Sequence, residues 1–253
     1  YYAVMRKKEI MIFMAKACFA GAAIGLGAVA SLYANSILAG PAGRLVGACF
    51  FTVGMFVIIT YEMKLFTGMV ASVTALGVKN LWQLPVCFLC NAVGIGAVAL
   101  LARFSFLGDA VAAQAASLMS GKLASGWWYL EDLCSAALCG VLITFSVRSV
   151  RAAPEKGLSP TLGVVLPIAV FAFCGFDHSV ANMLYFYYLG EVSWQVLAYI
   201  LLTVVGNFLG GAAFPFVLWL AERKKKAAMP EAKAENVRDG RGADKLSDNP
   251  TKS

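Results

Sequence analysis

The sequence predicts an all-α membrane protein: six transmembrane helices in two inverted three-helix repeats, with the second and fifth helices broken. Three observations carry that prediction. The chain is 60% hydrophobic and only 14% charged, with a mean hydropathy of +0.74, too apolar for an ordinary soluble domain. Its apolar residues fall into runs of about 20, the length that crosses a hydrocarbon layer as a helix. Two of those runs are interrupted by polar residues, once in each half of the chain.

The elements follow in order. The first span runs from about Met11 to Tyr33, after a short N-terminal segment, residues 1–10. Met5, followed by Arg6-Lys7-Lys8, reads as the natural start, with Tyr1 to Val4 ahead of it. The first run is too long for a cleavable signal peptide and lacks a clear small-residue cleavage site. The second span starts near Arg44 and continues to about Gly77, too long for one crossing and interrupted at Tyr61-Glu62-Met63-Lys64. The third covers about Leu81 to Ala102. The small-residue segment from Phe104 to Gly126 is expected to be a surface helix and loop. The fourth span is about Trp127 to Val147. The fifth runs from near Thr161 to about Leu189, broken around Gly175 to Ser179. The sixth is about Trp194 to Ala221. Residues 11–222 thus form the membrane domain. Residues 223–253 form a basic tail without large apolar clusters, expected to be unstructured.

Basic residues set the orientation. With both termini cytoplasmic, Arg6-Lys7-Lys8, Lys79, Arg148, Arg151, Lys156 and Arg223 to Lys226 lie inside, against Arg44, Arg103 and Lys122 outside. That is a positive-inside bias, and it predicts a multi-pass protein of the cytoplasmic (inner) membrane. The net charge of +7 therefore marks orientation. It forms no basic stripe with interleaved aromatics, so nucleic acid is not expected as a partner. The seven cysteines lie almost wholly inside apolar stretches. Cys87 and Cys90 form a CxxC, but no second pair or histidine stands at metal-ligand spacing, so they read as small buried hydrophobes and no metal or cofactor is expected.

The two halves resemble each other. Asn91-Ala92-Val93-Gly94 in span three matches Asn207-Phe208-Leu209-Gly210 in span six, 116 positions on, and the breaks at Thr67 and His178 are 111 apart. Three spans per half force opposite orientations. Interrupted segments at corresponding places in two such halves point to a translocation site.

The chemistry sits at the breaks. His178 is the only histidine in the chain, and with Asp177 it lies at membrane depth. Ionisable groups there usually face a bundle interior or a water path. Thr67, Asp177 and Ser179 suit half-helix starts, where side-chain oxygens accept orphan N–H groups. Two half-helix N-termini near mid-membrane favour anions. Thr67 and His178 together can donate hydrogen bonds to a small anion, with Phe66 and Phe171 as narrow apolar gates. Asp177 either caps a helix or holds His178. Glu62 and Lys64 pair locally or sit at the interface. Asn182, Asn91 and Asn207 also suit interhelical hydrogen bonding.

At these residues the chain resembles the formate/nitrite transporter family. Leu65-Phe66-Thr67-Gly68 resembles the family's first-break motif. Gly175-Phe176-Asp177-His178-Ser179-Val180-Ala181-Asn182-Met183 resembles its second-break signature, which normally has Glu before the histidine. Gly206-Asn207-Phe208-Leu209-Gly210-Gly211 resembles its sixth-helix motif. The resemblance implies an aquaporin-like protomer assembled as a homopentamer in the lipid bilayer, with a pore in each protomer. It implies transport of small monovalent anions such as formate, nitrite or hydrosulfide, as a channel or together with a proton. By the same match His178 is the central pore residue and Thr67 lies in the first-break loop. Leu65, Phe66 and Phe171 fall at constrictions, and Asn182 and Asn207 help form and hold the site. Lys122 is the candidate for the outer-vestibule lysine. Gly140 stands in Ala137-Leu138-Cys139-Gly140, where formate and nitrite members commonly carry an asparagine near the pore.

Two other classes fit less well. An aquaporin-like neutral-solute channel predicts paired Asn-Pro-Ala half-helices, and the only Asn-Pro is Asn249-Pro250, in the tail. A membrane-embedded enzyme needs a nucleophile–base pair inside the spans, for which one histidine is too few.

Overall fold

The computed structural model describes residues 7–38, 40–152, 159–190 and 193–227. Residues 1–6, residues 153–158 with Lys156, and most of the expected basic tail lie outside them. The described chain is helical, without strands. It forms α1 (Lys7–Ile37), α2 (Gly40–Thr60), α3 (Phe66–Val70), α4 (Val73–Leu76), α5 (Gln83–Arg103), α6 (Gly108–Leu123), α7 (Trp128–Ala152), α8 (Pro160–Cys174), α9 (Ser179–Leu189) and α10 (Trp194–Ala227). Among the described residues, five helical stretches are each long and apolar enough to cross a membrane. The pair α8 and α9, bent by 42° at the intervening break, makes a sixth. Large apolar side chains such as Met11, Phe19, Leu100 and Leu101 are exposed along them, as a lipid-facing surface requires. The protein is a multi-pass membrane protein.

By contact the chain divides into residues 1–215 and 216–253. The described part of the second unit is the end of α10. There Phe216 stacks on Trp219 at 5.7 Å, and the Arg223 guanidinium lies 4.6 Å over the Trp219 ring. Everything below concerns the first unit.

Glycines let its helices approach closely. In an apolar solvent small residues are what bring helix backbones together. A Cβ at Gly94 would overlap the Cys18 carbonyl oxygen of α1, and one at Gly210 the Ala137 carbonyl oxygen of α7. Gly21 stands in the same way against the Asn91 carbonyl, and Gly140 against that of Asn207, where a Cβ would sit 2.5 Å away. The α1–α5 crossing is therefore repeated by the α7–α10 crossing, and the inverted repeat is written in the packing.

The segment expected to be a surface helix is more than that. Along α6, Val111, Ala115 and Met119 are fully buried. They recur every four residues, so one stripe faces inward against α1 and α9. The small residues Ala113, Ala116, Ser117 and Ser120 between them are exposed, so the helix keeps an outward face as well.

Candidate functional site

Both breaks use the same backbone device. Helix α2 ends with Glu62 in the left-handed region (φ 49°), the Glu62 N–H donating to Ile59 O and the Met63 N–H to Ile58 O. Helix α8 ends with Gly175 (φ 74°), the Gly175 N–H donating to Ala172 O and the Phe176 N–H to Phe171 O. This is a Schellman termination, which satisfies the last carbonyls and turns the chain sharply. Gly175 adopts the conformation freely. Glu62 does so against the steric preference of a side-chain-bearing residue.

The freed polar groups beyond each turn are taken up by one asparagine. Asn91 Nδ2 donates to Ala17 O (2.7 Å) and Lys64 O (2.9 Å), and its Oδ1 accepts the Phe66 N–H (2.9 Å). Asn207 Nδ2 donates to Ala136 O (2.8 Å) and Asp177 O (2.8 Å), and its Oδ1 accepts the Ser179 N–H (2.7 Å). Both asparagines are fully buried. Each ties a break to the first helix of its own repeat. This set of bonds corrects the register at the breaks. Matched residues are 113 apart, so His178 corresponds to Leu65, and Thr67 lies two residues beyond.

Half-helix starts differ from the expectation as well. The N-cap of α3 is Leu65, with no side-chain cap bond, so the Asn91 amide replaces it. The N-cap of α9 is His178 itself, whose Nδ1 accepts the Ala181 N–H at 3.0 Å. A backbone N–H can only donate, so Nδ1 bears no hydrogen and Nε2 carries it. Nε2 lies 3.0 Å from Thr67 Oγ1 and donates to it. Thr67 and His178 are thus brought together across the two breaks, and both are buried.

Asp177 does not hold His178, whose ring nitrogens are already engaged. Its buried carboxylate gathers four elements instead. Oδ1 accepts from Lys122 Nζ (2.7 Å), Asn182 Nδ2 (2.9 Å) and the Tyr199 hydroxyl, and Oδ2 accepts from Ser135 Oγ (2.7 Å). The Asp177 N–H donates back to Ser135 Oγ at 2.9 Å, and Lys122 Nζ also donates to Gly175 O at 2.9 Å. Lys122 therefore reaches the second break from the end of α6 and presents its charge there.

Two cavities flank these groups. One, ≈570 Å³, is lined by His178, Phe171, Phe51, Asn182, Lys122 and Arg44, among others. The other, ≈620 Å³, is lined by Leu65, Gly68, Glu62, Lys64, Met55 and Val147, among others. On the first side Phe171 stacks on His178 (5.8 Å, 15°), and Phe51 meets both rings edge-on, at 5.5 Å to Phe171 and 6.5 Å to His178. On the second side the side chain at the cavity is Leu65. Phe66 lines neither of these two cavities. Its buried ring sits edge-on to Phe88 of α5 at 5.3 Å. Nor does Gly140, which is spent on the contact with Asn207, so an asparagine at that point would clash with the α10 backbone.

Phe51, Ser135 and Tyr199 join the site without a sequence signal. Phe51 is one phenylalanine in an apolar run. Ser135 and Tyr199 reach Asp177 only because α7 and α10 carry them to the second break.

Comparison with known proteins agrees with this architecture. A family model described as Formate/nitrite transporter matches residues 4–221. An uncharacterized transporter, YrhG of Bacillus subtilis, is 28% identical over 216 residues, 77% of each chain. The nitrite transporter NirC of Salmonella typhimurium is 28% identical over 257 residues, covering 88% of this chain and 90% of that one. Among solved structures, a pentameric formate channel with formate bound superposes with a TM-score of 0.70 at 20% identity, over 86% of this chain and 99% of that one. At that identity the shared property is the fold.

Proposed function

The chain belongs to the formate/nitrite transporter family, and from that premise we propose that it carries small monovalent anions across the cytoplasmic membrane. Each protomer of a homopentamer has its own route, as the pentameric formate channel it resembles suggests, and both termini are cytoplasmic. Formate and nitrite are the first candidates, with hydrosulfide the third. An aquaporin-like neutral-solute channel is not favoured, because the family match lies elsewhere.

One observation carries the reading: the Thr67–His178 contact stands between two cavities, with Phe51 and Phe171 before it on one side and Leu65 on the other. An anion arriving on the Lys122 side meets the ammonium at the rim, as Arg44 adds a second positive charge there. It then leaves most of its water at the phenyl rings. The Thr67–His178 hydrogen bond opens around it, and Nε2–H of His178 and the Thr67 hydroxyl replace that water as donors. Because Nδ1 is committed to the Ala181 N–H, His178 serves as a hydrogen-bond donor that keeps its own proton. In the apolar constriction the anion gains proton affinity, since low dielectric disfavours its charged form. A proton from vestibule water then lets it cross as the neutral acid, so permeation is coupled to protonation. Asn182 lines the cavity beside Lys122 and orients Asp177.

The test is uptake into proteoliposomes of formate, nitrite and hydrosulfide at acid and neutral pH, for wild type and His178→Ala. Selective, pH-dependent uptake that the substitution alters supports the reading. Uptake of none of the three, or uptake indifferent to His178, overturns it.

A further inference from the structure

A second acid lies one helical turn from the Asp177 cluster and takes no part in it. Asp132 stands on α7 within the membrane-crossing stretch Trp128–Val150 and is 2% exposed. Its Oδ1 is 2.8 Å from Thr203 Oγ1 of α10, and its Oδ2 has no hydrogen-bond partner. Thr203 Oγ1 is also 2.8 Å from Tyr199 O. A hydroxyl has one hydrogen, so it cannot donate to both.

The arrangement suits the protonated acid far better than the carboxylate. A charged Asp132 would have the Thr203 hydroxyl as its one donor, with Oδ2 bare, and a buried carboxylate with so few donors is very unfavourable. With a hydrogen on Oδ1, Asp132 donates to Thr203 Oγ1 and Thr203 donates to Tyr199 O. Every hydrogen is then used, and the unpartnered atom is a neutral carbonyl oxygen. The titratable and charged groups facing Asp132 are Asp177 at the break, Lys122 from α6 and Tyr199 from α10. Lys122 is already paired with Asp177, and the Tyr199 hydroxyl already donates to it, so neither is left to balance a second negative charge.

We propose that Asp132 is a proton-binding site within the membrane, a carboxylic acid that keeps its proton against Thr203 while neighbouring Asp177 is a charged carboxylate. Two neighbouring acids, Asp132 on α7 and Asp177 at the second break, thus hold opposite states because one has four donors, an ammonium among them, and the other has the Thr203 hydroxyl alone. The site goes beyond the anion contact: it stores a proton beside the Lys122–Asp177 pair whichever anion crosses. Removing that proton forces Thr203 to turn its hydrogen from Tyr199 O to Asp132, which re-bonds the seam behind Asp177.

Infrared spectroscopy of the purified full-length protein in lipid at neutral pH tests this. The expected result is a carbonyl stretch of a protonated carboxylic acid, shifted in D₂O, absent in Asp132→Asn and displaced in frequency in Thr203→Val. Asn keeps a donor for Thr203, so the variant should stay folded. If it does not, the Thr203→Val displacement decides. No acid carbonyl band in the wild type, a band unchanged in Asp132→Asn, or a band indifferent to Thr203→Val overturns the proposal.

Discussion

Leu65 and His178 are counterparts. Each is the N-cap of the half-helix that follows a break, each stands next to a cavity, and the cavities lie on different sides of the Thr67–His178 contact. One half of an inverted repeat therefore presents an apolar side chain where the other presents a hydrogen-bond donor. The asymmetry is possible because Asn91 takes over the capping that Leu65 cannot do.

Capping and anion contact are separable at His178. His178→Asn keeps an N-cap oxygen for the Ala181 N–H, so thermal stability should stay near wild type, yet the Nε2–H facing Thr67 is gone and uptake should change. His178→Ala should show the same uptake defect and lose about 1 kcal/mol more from the missing cap. Paired unfolding and uptake assays check this; equal stability of the two variants would contradict the cap assignment.

Leu65→Asn should relax selectivity. The amide would bring water to an apolar narrowing, so hydrated ions such as chloride should begin to leak into vesicles that the wild type keeps tight. An unchanged chloride barrier would place the narrowing elsewhere.

Asn91 and Asn207 should be equivalent in stability terms. Each makes three buried hydrogen bonds to backbone. Replacing either with Ala leaves buried N–H and C=O groups bare, at roughly 1–3 kcal/mol for each unsatisfied group. Loss of folded protein in detergent should be similar for both variants. A mild effect at one site alone would argue that the two breaks are not held alike.

Gly140→Asn should not convert the chain to a different anion preference. Its Cβ would approach Asn207 O to 2.5 Å, so the expected outcome is poor folding, visible in size-exclusion profiles. A well-folded variant with altered selectivity would show that residue 140 reaches the route after all.

Lys122→Met should weaken the fold around the second break by about 3 kcal/mol, because it strands a buried carboxylate. Adding Asp177→Asn should recover part of that loss, since the stranded charge disappears. A double-mutant cycle by thermal unfolding measures the coupling, and additive effects would mean the pair is not energetically linked.

Much of this is legible in the sequence. The spans were readable because each must satisfy its backbone internally and face lipid, which demands long apolar runs. The breaks at Glu62 and Gly175 were readable because polar residues and glycine interrupt those runs. His178 stood out because an ionisable group at that depth needs a purpose. The repeat is visible in the Asn91 and Asn207 motifs, but the asparagine bonds set its register at the breaks two residues away from a Thr67–His178 match. Thr67 resembles a capping residue and Leu65 does not, and the cap came from a different helix.

Local chemistry, then, specified the six spans, the two interruptions and the residues that meet at them, since hydrophobic length and helix-breaking are properties of neighbours in the chain. Packing decided which side chains share a site. Phe51 joins Phe171 and His178, Ser135 and Tyr199 join Asp177, Phe66 turns to Phe88, and α6 buries a stripe that carries Lys122 to the second break. Those partners lie on different helices, and which faces meet is set by where glycines let backbones cross, a relation between distant segments that no local stretch encodes.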